Sequence, residues 1–212
     1  MKGTLAVVAV FIAGCIAGWS GVIDLSSLGE TGKDLPMYIL YLLIFLVGVS
    51  MGCNPDLKRI FRSANPRLLL LPLAVIAGTL AFSALACLVL PKWSVTGCLA
   101  VGSGMGYYSL SSVLISQYME PSLGVRLAAE LGTIALLTNI FREMFTLLAA
   151  PLLNRFFGPF AVIASAGVTA IDVCLPVILR NSGNNILPAA LISGIVTDFS
   201  VPFLVPFFCS LG

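Results

Sequence analysis

The stretch FFGPFAVIASAGVTAIDVCLPVIL, residues 156–179, decides how this chain folds. It is long enough to cross a bilayer, which takes about 20 predominantly apolar residues. Yet it holds a carboxylate, Asp172, in its second half, with Gly167 shortly before it and Pro176 shortly after. Glycine is a weak helix former, and proline withholds an N–H and crowds the preceding turn, so a helix is expected to break between them. Broken backbone at membrane depth must face protein or a watery cavity, because lipid cannot satisfy its N–H and C=O groups. A carboxylate at that depth costs about 2.5–3.5 kcal/mol on insertion scales. Asp172 is therefore expected to line the translocation site of a transporter.

The composition agrees. The chain is 59% hydrophobic and 9% charged, where soluble domains carry about 25% charged residues. Its 212 residues, divided by a span and a short loop, give about seven membrane segments in one polytopic domain. The net charge of +2 points to no nucleic-acid partner, and the absence of histidine removes histidine catalysis, histidine proton relays and most zinc sites. Six cysteines (Cys15, Cys53, Cys87, Cys98, Cys174, Cys209) are scattered without a C-x-x-C and read as small buried hydrophobes, not as disulfides or metal ligands. No metal and no cofactor is expected. Met1-Lys2 before LAVVAVF resembles a signal peptide, and Ile12-Ala13-Gly14-Cys15 a lipoprotein box. The residues after Cys15 stay apolar, so an uncleaved first span is expected.

Segments are expected over about 4–23, 35–52, 68–90, 95–118, 127–150, 156–179 and 186–211. Between the second and third lies NPDLKRIFRSANPR, with Lys58, Arg59, Arg62 and Arg67, which the positive-inside rule places in the cytoplasm. The acidic 24–34 loop is then outside. The fourth segment, VTGCLAVGSGMGYYSLSSVLISQY, holds Gly102, Gly104 and Gly106 with Ser103 and Ser109. Three glycines at alternate positions predict an unwound stretch whose bare amides can hold a polar substrate; the competing reading is tight helix packing through small residues. The G-S-G-M-G run also looks like a phosphate loop, but no Gly-Lys-Ser/Thr follows. Paired interrupted helices, here the fourth and sixth segments, point to a transporter binding site. Pro151 to Gly158 reads as a short connection, and the seventh segment is expected to be interrupted near Asp198, between Gly194 and Pro202.

Glu143 and Asp172 are the pair expected to carry the chemistry. Asn139 lies one turn before Glu143 on the same helix face, and Arg142 points about 100° away. Two carboxylates near the midplane can hold an amine, and burial favours their neutral form, so they can also carry protons. The competing reading makes Glu143 half of a structural ion pair with a basic residue on another helix. Arg142 would steady Asp172 or bind a substrate carboxylate, and the sequence does not choose. Asp198 is a further candidate beside an expected break. Glu130 reads as a surface charge, and Tyr107 and Tyr108 as lining or interfacial residues. An intramembrane aspartyl protease using Asp172 and Asp198 would need a Gly-x-Gly-Asp that is missing. A non-transporting assembly subunit would not need Asp172 at all.

The runs G-S-G-M-G-Y-Y-S-L-S (102–111), N-x-x-R-E (139–143) and A-x-D-x-x-L-P-V (170–177) resemble the LysO lysine-exporter family. Phe45-Leu46-Val47-Gly48-Val49 and Leu187-Pro188-Ala189-Ala190 also fit, so the resemblance is ordered and covers nearly the whole chain. It implies an all-α integral membrane protein with interrupted, crossing helices, similar to cation/proton antiporters and bile-acid transporters. It further implies multi-pass insertion in the bacterial inner membrane and export of L-lysine and toxic lysine analogues. Proton antiport through the acids matching Glu143 and Asp172 is the expected mechanism, with an inorganic cation/proton antiporter as the alternative. Members of the family are longer at the N-terminus, and this chain starts where their second part starts. The resemblance thus suggests a large subunit with a small membrane partner supplying the missing spans; homodimer formation stays open. Asp198 matches no motif of the family.

Overall fold

A computed structural model describes residues 66–212, together with Tyr38, Leu42, Phe45 and Val49. Those four earlier positions are helical, within the expected 35–52 segment. The rest of that segment, the 4–23 segment, the acidic loop, most of the basic loop, Cys15 and Cys53 lie outside the described residues.

The described residues are helical with connecting turns. A 3-10 turn, Pro66–Leu69, leads into α1, Leu70–Ala86. The fourth expected segment becomes two helices, α2 (Val95–Gly102) and α3 (Tyr108–Tyr118), separated by an unwound stretch over 103–107. Ser94 starts α2 by accepting a hydrogen bond from the Gly97 amide at 3.1 Å, which satisfies one of the free N–H groups of the first turn. A single turn, α4 (Glu120–Leu123), precedes α5, Val125–Phe157. The sixth expected segment is also two helices, α6 (Pro159–Ala166) and α7 (Leu175–Ser182), with a 3-10 turn, Gly167–Ile171, between them. A last 3-10 turn, Asn184–Ile186, leads into α8, Leu187–Ser210.

Among the described residues two helices are long and apolar enough to cross a membrane, α5 and the stretch ending in α8. The 33 residues of α5 span about 50 Å at the helical rise, beyond the ~30 Å hydrocarbon core. The expected connection at Pro151 does not exist. The helix runs through Pro151 to Phe157, because Leu148, Leu152 and Phe156 continue one apolar stripe past the proline. Glycine at 158 ends the helix instead. The expected interruption near Asp198 is also absent: α8 is continuous through Pro202 and Pro206. Proline removes one N–H per site but leaves the rest of the ladder intact, which membrane helices tolerate.

The two interrupted regions meet backbone to backbone. The Val168 amide donates to the Met105 carbonyl at 2.9 Å, joining the turn after α6 to the unwound stretch after α2. Gly167 has φ +63°, and a Cβ on it would lie 2.3 Å from the same carbonyl oxygen. Only glycine permits both the left-handed conformation and the approach. Gly167→Ala is expected to cost about 1–3 kcal/mol from backbone strain alone, with the steric clash in addition, and thermal melting of the purified protein checks it. Around this crossing one buried cluster combines Val162, Ile163, Ile178 and Ile186 with small residues: Ala166, Ala170, Cys174, Ala150 of α5, and Ala189 and Ala190 of α8. Such residues let helix backbones approach closely where no hydrophobic effect drives association.

Candidate functional site

The centre of α5 carries Asn139, Arg142 and Glu143, and the helix sends them to different places. Asn139 is 2% exposed and turns toward the unwound stretch. Its Oδ1 accepts from the Gly106 amide at 2.6 Å, while its Nδ2 donates to Ala135 O at 2.8 Å and to Ser111 Oγ at 3.3 Å. It therefore satisfies a backbone group that the broken helix leaves free and pins the stretch in which Met105 has φ +47°.

Beside that clamp lies a cavity of about 220 Å³. Glu143 reaches it from α5, Asp172 from the turn before α7, and Asp198 from α8; Gly106, Tyr107 and Ser109 form the side nearest α3. The Ser111 amide bonds to Tyr107 O, so the amides ahead of it are the open first turn of α3. Tyr108 and Ser109 carry two of those amides and border the cavity. One wall is thus the positive end of a helix dipole and the others bear carboxylates. Glu143 Oε2 is shielded from solvent and has no hydrogen-bond partner. Asp172 is exposed, and its Oδ1 already accepts from the Val173 amide at 2.5 Å. Asp198 is 6% exposed. All three acids line the space, and among the described residues no group of three or more such side chains is placed to hold a metal ion.

Arg142 faces away, into a second and larger cavity of about 1050 Å³ between α1, α5 and α6. It neither steadies Asp172 nor reaches the acid-lined space. Its Nε donates to Ser165 O at 2.9 Å, its Nη2 to Ala164 O at 3.0 Å and its Nη1 to Thr79 Oγ1 at 3.4 Å. The guanidinium closes the C-terminal end of α6, where helix carbonyls lack intrahelical donors and the dipole is negative. Asn139 and Arg142, about one turn apart on α5, thus serve different broken ends: the amide ahead of α3 and the carbonyls at the end of α6.

Of the residues singled out in the sequence, Gly106, Ser109, Glu143, Asp172 and Asp198 come together on the small cavity, and Tyr107 and Tyr108 join them. Asn139 stands behind it. Gly102 and Gly104 have packing roles: a Cβ on Gly102 would meet Ser83, and one on Gly104 would lie 2.6 Å from Asn139 Nδ2. Ser103 is buried, its hydroxyl turned back to Ala100 O. Among the described residues Glu143 has no basic partner, and the one ion pair joins exposed Lys92 and Glu130. Asp198 lies inside a continuous helix and caps nothing. Cys87, Cys98, Cys174 and Cys209 are free thiols. Thr79, which holds Arg142, carried no signal in the sequence, since it lies 63 residues from its partner.

The chain matches the family model described as Lysine exporter LysO over residues 8–209. It is 30% identical over 200 residues to the lysine exporter LysO of Escherichia coli (strain K12), covering 94% of this chain and 62% of that protein. A protein of Haemophilus influenzae, provisionally named a lysine exporter, is 31% identical over 175 residues, covering 82% of this chain and 84% of its own length. The chain therefore spans about three-fifths of the length of the Escherichia coli relative. No solved structure matches it.

Proposed function

The chain belongs to the lysine exporter LysO family, whose members are transporters and not enzymes, and from that premise we propose that it exports L-lysine across the bacterial inner membrane in exchange for protons. The observation that carries the proposal is the acid-lined cavity at the crossing of two interrupted helices. Lysine's ammonium groups pair with the carboxylates, and its own carboxylate sits on the open amides of α3. Protons from outside then displace the ammonium groups and release the cargo. Moving one positive charge outward costs about 2.3 kcal/mol per 100 mV of opposing potential, and one proton moving inward cancels that cost. The reading includes about seven membrane segments in a crossed-helix fold of the cation/proton antiporter and bile-acid-transporter kind. It also includes a small membrane subunit supplying further spans.

Purified protein in liposomes tests this. Labelled lysine should leave loaded vesicles several-fold faster when a proton gradient opposes it in direction, and sodium should not compete. Flux indifferent to the gradient would sink the exchange; flux of sodium without lysine would sink the cargo.

A further inference from the structure

Resting on the lysine reading above, we infer that Asp198 is the specificity-determining residue of the cavity: it holds the side-chain ammonium of the cargo and so selects amino acids with two ammonium groups over those with uncharged side chains.

The placement of Asp198 starts with Gly194. A Cβ there would lie 2.3 Å from Ile171 Cγ2 and 3.1 Å from the Ile171 amide, so α8 rests directly on the 3-10 turn between α6 and α7. Asp198 follows one helical turn later on the same face, which brings it to the cavity. It is 6% exposed. The neighbouring hydroxyls of Thr197 and Ser200 donate to helix carbonyls, not to its carboxylate, and among the described residues the only ion pair is elsewhere.

The three carboxylates are not equivalent. Asp172 is exposed and partly occupied by the Val173 amide. Glu143, half-buried, keeps one shielded oxygen without a partner, and Asp198, on a different helix, is buried with no hydrogen bond to its carboxylate among the described residues. No lysine or arginine lines the cavity among the described residues. A space of about 220 Å³ falls below the usual range of drug-sized sites, so it takes a small molecule. Two separated anionic acceptors facing such a space match two ammonium groups. Cargo with one would leave a buried carboxylate without a partner, and an unpaired group of that kind is what lets a polar site reject an analogue.

Binding to the full chain in lipid nanodiscs, with lysine, norleucine and ornithine as probes, tests the inference. Norleucine has the lysine skeleton without the side-chain ammonium; ornithine is one methylene shorter. The unmodified protein should prefer lysine to norleucine at least about tenfold. Asp198→Asn should bring that ratio close to one by weakening lysine and sparing norleucine. Asp198→Glu pushes the carboxylate one methylene into the cavity and should raise the ornithine-to-lysine ratio several-fold. An unchanged lysine-to-norleucine ratio in Asp198→Asn overturns the inference, as does comparable binding of the two ligands to the unmodified protein. Should Asp198→Asn fail to fold, Asp198→Glu decides: an ornithine-to-lysine ratio that does not rise overturns it. Unmodified protein that binds no amino acid at all would remove the lysine reading itself, a different result from loss of discrimination.

Discussion

Glu143→Gln should reduce lysine efflux by about 100-fold, the loss expected when a charge-assisted contact of ~3 kcal/mol disappears, while leaving the melting temperature unchanged or higher. Glu143 sits near the middle of α5, and its Oε2 is shielded without a donor. Among the described residues no lysine or arginine pairs with it. An ionised carboxylate with one oxygen shielded in that way destabilises the fold, so a neutral isostere does not harm the protein even as it disables the site. Glutamine keeps the shape, can still accept a hydrogen bond, and removes both the charge that would attract an ammonium and the oxygen that would carry a proton. The opposed changes separate a working acid from a structural one, because losing a structural ion pair would lower stability. The measurement is labelled-lysine efflux from liposomes beside a thermal melt of the same preparation. Efflux at the unmodified rate would remove Glu143 from the transport step.

What the sequence made legible and what it concealed follow from the range of the interactions. The break at Asp172 was readable because its causes are local: Gly167 on one side, Pro176 on the other, and an acid too costly for lipid between them. The glycines at 102, 104 and 106 also foretold an unwound stretch, yet only Gly106 faces the cavity. Gly102 and Gly104 are small because Ser83 and Asn139 press on them from other helices, a reason that no local pattern reveals. Pro151 and Pro202 misled in the other direction. A proline predicts a boundary where helices are free to end, but an apolar stripe running past it holds the helix together in lipid. Arg142 shows the same limit most clearly. Its partners lie 22, 23 and 63 residues away, and two of them are backbone carbonyls, which every residue type carries. Its role was invisible, whereas the carboxylates were conspicuous from composition alone.

That role predicts a second large effect. Arg142→Leu should destabilise the fold by about 2–4 kcal/mol, because it leaves the Ala164 and Ser165 carbonyls without donors at roughly 1–3 kcal/mol each and removes a cation from the negative end of α6. The upper part of the summed range is reduced because the adjoining cavity, about 1050 Å³ and bordered by Arg142 itself, can admit water to those carbonyls. Arg142→Lys should fall between the two, since an ammonium carries the charge but cannot reproduce a planar fork that reaches Ser165 O, Ala164 O and Thr79 Oγ1 together. Thermal melting in detergent measures the series, and the order arginine, lysine, leucine is the expected one. The alternative role, capture of the cargo's carboxylate, gives a different pattern. It would leave the melting temperature in place and weaken binding of lysine but not of cadaverine, which lacks the carboxylate. A stable Arg142→Leu protein with that selective defect would mean that the guanidinium leaves the end of α6 during transport, and that the two cavities on either side of α5 exchange a ligand.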